Sequence, residues 1–150
     1  DNYEARANIM WAGMMAHNDS CGVGRSQDWS SHRIEHELSA VYDCAHGAGL
    51  AVLYPAWCKY VYKENPARFA QFARRVWDVT EADDEKAALM GIEAMAEYFK
   101  SIGMPSKLGE FGISEDCIDR LVELCTFGGN RKINGYIDLG EKELKEIFKI

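Results

Sequence analysis

Three of the four histidines in this 150-residue sequence fall within "DWSSHRIEHELSAVYDCAHGAGL", residues 28–50. His32 and His36 are four apart, so on a helix they lie one turn from each other on the same face. His46 follows directly before Gly47, where the chain can turn and start a new helix. A turn there brings its imidazole back toward the other two. Convergent neutral imidazoles are what a zinc or ferrous ion selects, and a histidine beside such an ion can also carry a proton near neutral pH. Spacing alone leaves a second possibility open, that these are ordinary surface or hydrogen-bonded histidines, and that plainer role is the reading for His17.

The letters "HRIEH" at 32–36 also spell H-x-x-E-H, the inverted zincin pattern. There His32 and His36 would hold zinc and Glu35 would activate water, which describes a metallopeptidase. No downstream residue presents itself as its third ligand. "GVGR" at 22–25 reads as a helix break, because G-x-G without a preceding strand and a βαβ setting is a weak nucleotide signal. Trp29 and Trp57 are candidate apolar walls for a site, although tryptophans in such helices more often belong to the core.

The elements that must position these residues read as helices throughout. Ala5, Ile9, Ala12, Met15 and Ala16 recur at helical spacing before "SCGVGRSQ" interrupts them. Asp28 can cap the next helix, in which Trp29, Ile34, Leu38, Val41 and Tyr42 trace an apolar stripe. "AGLAVLYPAWCKYVYK" is nearly all apolar and predicts a buried helix that Pro55 kinks or divides. Asn65 and Pro66 form an N-cap and first helical residue, with Phe69, Phe72, Val76 and Trp77 on one face. "DDEKAALMGIEAMAEYFKSIG" has the charge order that a helix dipole favours. Further helices follow from Ser114 and across "GEKELKEIF", and "GYIDL" could be a strand but has nothing to pair with. The expected architecture is an all-α bundle in one domain, residues 1–150.

With 47% hydrophobic residues the chain can bury a substantial core, and its formal charge of −7 argues against a general grip on nucleic acid. Five cysteines, odd in number and without a C-x-x-C pair, indicate neither a disulfide framework nor a zinc knuckle and fit a reducing cytoplasm. No apolar run reaches the length of a membrane span. Because the first residue is Asp1 and helix-forming residues begin at once, the chain reads as a piece of a longer protein.

The stretch "DWSSHRIEHELSAVYDCAHGAGLAVLYPAW" resembles the signature region of the iron-containing (group III) alcohol dehydrogenases, closest to their NADH-dependent butanol dehydrogenase branch. The likeness extends from "DNYEARANIMWAG" through "IGMPSKLGEFGI". It implies the C-terminal helical, dehydroquinate synthase-like half of an enzyme whose N-terminal α/β half binds NAD(H) or NADP(H). His32 and His46 match two ligands of a divalent metal, Fe2+ or Zn2+, and His36 matches a histidine that lines the same cleft and serves catalysis without ligating. The family's other two ligands, in a D-x-x-x-H helix, would lie upstream; Asp28 to His32 spells that pattern only by chance. The resemblance implies hydride transfer between a primary alcohol or aldehyde, such as butanol or butanal, and nicotinamide. Its partners would be that small molecule and its own N-terminal domain, in a homodimeric parent, with no nucleic acid and no membrane. The chain alone is expected to be inactive. A different class of role, a non-catalytic helical module that packs on a partner, would be told apart by its uncovered apolar surface.

Overall fold

Several helices begin where the sequence offers a capping side chain. In this computed structural model, which describes residues 2–150, seven α-helices run in chain order: α1 Tyr3–His17, α2 Ser30–Tyr42, α3 His46–Val61, α4 Pro66–Val76, α5 Asp84–Ser101, α6 Ile118–Thr126 and α7 Glu141–Lys149. The Asn65 side chain accepts a hydrogen bond from the Arg68 backbone N–H (3.2 Å), with Pro66 as the first helical residue of α4. Asp83 does the same for α5 through the Lys86 N–H (2.9 Å), and α5 gives way to Gly103 in the left-handed region.

The apolar helix predicted from "AGLAVLYPAWCKYVYK" is the centre of the molecule. α3 buries Gly49, Ala51, Leu53, Pro55, Trp57, Cys58 and Val61, and packs against α2, α5 and α7. Pro55 does not divide it: one α-helix runs from His46 to Val61. A proline there removes a single N–H from the ladder, and burial among neighbouring helices holds the remaining turns in register. Burial places Trp57 in the core, with its ring stacked on Tyr54 at 5.7 Å.

α4 and α5 approach closely because Gly91 has no side chain. A Cβ at that position would come within 2.7 Å of the Ala73 Cα. Overpacking of such a contact costs about 1–3 kcal/mol, so Gly91→Val is expected to lower the urea midpoint of unfolding by that much stability. An unchanged midpoint would show that the two helices can move apart freely.

The "GYIDL" segment forms no strand among the described residues. Ile133 and Leu139 instead exchange backbone hydrogen bonds of 2.9 Å in a lone antiparallel bridge, and both side chains are buried. Two apolar positions read as core are exposed, Val41 and Val76, each near the end of its helix, while Ile34 and Leu38 of the same α2 stripe are fully buried. The largest departure is α1. None of its predicted stripe is buried: α1 has no buried residue, and Ile9, Met10 and Trp11 are 72%, 77% and 64% exposed. No helix among the described residues is long and apolar enough to cross a membrane.

Candidate metal centre

The start of α2 is tied down from both sides by Asp28. Its Oδ1 accepts hydrogen bonds from the Ser30 backbone N–H (2.6 Å) and hydroxyl (2.5 Å), while Oδ2 accepts one from the Tyr136 N–H. Both carboxyl oxygens therefore anchor the start of α2, one to its first residue and one to the segment around Tyr136. At the other end Asp43 adopts a left-handed conformation (φ 51°) and its N–H closes α2 on the Ser39 carbonyl. That reversal lets α3 begin at His46, alongside α2.

The reversal brings the imidazoles together. His32 Nδ1 lies 3.1 Å from His46 Nε2, although fourteen residues separate them. The His36 ring centroid is 5.3 Å from that of His46, and the His32 centroid is 5.2 Å from it on the other side. Two ring nitrogens this close could both be reached by one ion at ordinary metal–imidazole distances of about 2.1 Å. The donor set thus fits a zinc or ferrous ion in spacing and in ligand type. Among the described residues no group of three or more His, Cys, Asp or Glu side chains takes up a metal-holding arrangement, so the set is a pair.

Each ring has its own surroundings. The His46 side chain is 44% exposed on one edge, and on the other its Nδ1 meets Oε2 of Glu35, which is completely buried. Oε1 of Glu35 accepts a hydrogen bond from the Ser39 hydroxyl, and the Cys44 thiol is 3.9 Å away. His32 is half-buried, its ring centroid 4.8 Å from that of Trp29 in an edge-to-face contact, and the His17 ring meets Trp29 in the same manner at 5.5 Å. His36 is exposed.

Burial holds the His32 imidazole below its ordinary value of 6.5, helped by the neighbouring His46, His36 and His17 and opposed only by Glu35. The neutral form, which is the ligating form, therefore persists below pH 6.5. The unfolded chain takes up this proton first on acidification, so stability from this group is present above pH 6.5 and is lost as pH falls from there through the folded value. An NMR titration is expected to give His32 a midpoint below 6.5; a midpoint above it would mean that Glu35 dominates.

A cleft of about 520 Å³ opens beside His32. Trp29, Leu50, Tyr54, Phe99 and Met104 line it together with His32 itself. Trp29 is thus a wall of the cleft and Trp57 is not. His36 lies outside this cleft, next to His46. The sequence carried no signal for Phe99 or Met104, which reach the site from the far end of α5 and the turn after it. Glu35 was legible only as the water-activating base of the peptidase pattern. The geometry does not favour that role: its carboxyl group is sealed against His46, and the closest ring nitrogens belong to His32 and His46 rather than to His32 and His36.

Residues 1–150 match the family described as Fe-containing alcohol dehydrogenase, C-terminal. The chain is 40% identical over 140 residues to the probable NADH-dependent butanol dehydrogenase 1 of Bacillus subtilis, covering 89% of this chain and 36% of that protein. It is 38% identical to NADH-dependent butanol dehydrogenase A of Clostridium acetobutylicum, over 99% of this chain and 39% of that one. The crystal structure of NADH-dependent butanol dehydrogenase A from Thermotoga maritima superposes with a TM-score of 0.92 at 42% identity, over 99% of this chain and 39% of that one. The chain therefore spans rather less than two-fifths of the length of these relatives.

Proposed function

The chain belongs to the Fe-containing alcohol dehydrogenase family, and from that premise we propose that residues 1–150 are the C-terminal helical, metal-binding domain of an NAD(P)H-linked alcohol dehydrogenase. The observation that carries the reading is the 3.1 Å approach of the His32 and His46 ring nitrogens from two different helices. His32 and His46 are the ligands this domain supplies to a divalent ion, Fe2+ or Zn2+. The reaction is hydride transfer between a primary alcohol or its aldehyde and nicotinamide, and the names of the relatives support butanol and butanal as substrates.

When bound, such an ion supplies Lewis acidity to the alcohol or carbonyl oxygen. The chain's own side chains do the rest. His32 and His46 offer neutral nitrogens. His36, exposed beside His46, accepts the alcohol proton and passes it to water, or returns it in aldehyde reduction. Trp29, Leu50, Tyr54, Phe99 and Met104 give the alkyl chain an apolar bed and keep water from the reacting carbon.

The dinucleotide, in this reading, is held mainly by a separate N-terminal domain. The exposed apolar surface of α1 supports a helical domain that packs against a second one, rather than a module sufficient in itself. In the complete protein that carries this chain, prolonged chelation is expected to lower butanal-dependent NAD(P)H oxidation at least tenfold, and added Fe2+ or Zn2+ to restore it. Activity that survives verified metal removal would overturn the proposal.

A further inference from the structure

We infer that Glu35 is a positioning residue of this site: its buried carboxyl group fixes His46 in the tautomer that presents Nε2 to the ion. The inference rests on the reading of His46 as a ligand. A neutral imidazole carries one N–H, and whichever nitrogen bears it cannot ligate. Oε2 of Glu35 faces His46 Nδ1, so the proton sits on Nδ1, where it can be donated to the carboxyl oxygen. Nε2 then keeps its lone pair, and Nε2 is the nitrogen that faces His32.

Three observations show that the carboxyl group is held for this contact. Glu35 is completely buried, so water does not compete for its oxygens. The Ser39 hydroxyl, one helical turn on, donates to Oε1 and leaves Oε2 for His46. Gly49, one turn after His46 on α3, makes the room: a Cβ there would lie 2.8 and 2.9 Å from the Cγ and Cδ of Glu35. A buried carboxyl group costs stability unless it is partnered, and the partners here are the ring it aims and the serine that aims it.

The test is the protonation pattern of the His46 ring nitrogens, read by long-range 1H–15N NMR on the metal-free 150-residue chain, followed by zinc titration. In the unaltered chain the proton is expected on Nδ1. Glu35→Gln is expected to give mixed tautomers and a zinc dissociation constant about 10–100-fold higher, the usual effect of losing a carboxylate behind a ligating histidine. Gly49→Ala, which keeps Glu35 but displaces it, is expected to act in the same direction. Ser39→Ala serves as a third variant that leaves packing least disturbed. A proton found on Nε2 in the unaltered chain overturns the inference without recourse to any variant. If zinc binds and the tautomer ignores every substitution, the coupling falls and the metal reading stands. If the tautomer follows Glu35 but no zinc binds even at millimolar concentration, the coupling stands and the metal reading falls.

Discussion

His32→Ala and His46→Ala, each made in the complete protein that carries this chain, are expected to abolish bound metal and alcohol dehydrogenase activity together, with a loss of at least about 10³-fold. Each removes one of two imidazole nitrogens only 3.1 Å apart, and an ion stripped of a protein ligand loses affinity and its open coordination geometry at once. His36→Ala is expected to behave differently: metal content stays and kcat falls about 10²–10⁴-fold, the range for loss of a proton-transfer group. Elemental analysis beside an NAD(P)H-linked butanal assay separates the two patterns. Metal loss in His36→Ala with retention in His46→Ala would restore the H-x-x-E-H grouping.

The isolated chain is expected to turn over no butanal at all and to bind zinc weakly. Full structural zinc sites contribute about 10–16 kcal/mol. Half of a ligand set supplies roughly half of that, a dissociation constant of about 1 µM to 0.2 mM. Isothermal calorimetry measures the affinity directly. Stoichiometric nanomolar binding, or measurable turnover, would mean that this domain holds more of the site than a histidine pair.

Much of this was legible in the residues because local chemistry governed it. Asn65 with Pro66 announces the start of α4 through a side chain that satisfies a free N–H group, and the charge order along α5 announces that helix. The histidine convergence was legible in part: the four-residue spacing puts His32 and His36 on one face, whereas the reversal falls at Asp43, ahead of His46, and Gly47 lies inside α3. Pro55 does not divide α3, because burial on several sides outweighs one lost hydrogen bond. Val41 and Val76 misled because periodicity does not reveal where a neighbouring helix stops. α1 reads as a core helix from its apolar residues, yet none of them is buried among the described residues.

Glu35 shows the harder limit. Its neighbours in the motif suggested a solvent-facing base, whereas its actual partners, Ser39 and His46, lie four and eleven residues on, and Gly49 makes room for it. The Gly49 contribution depends on how closely α2 and α3 approach, and no spacing rule within one helix encodes that.

The shared ion is the claim on which the rest depends, and anomalous scattering at the metal edge, from crystals of the complete protein, tests it most directly. One peak is expected within about 2.0–2.3 Å of ring nitrogens on both His32 and His46, with His36 and the Glu35 carboxyl group outside its shell. A peak bonded to His32 and His36 beside a Glu35 turned to solvent, or one that touches neither His32 nor His46, would contradict it.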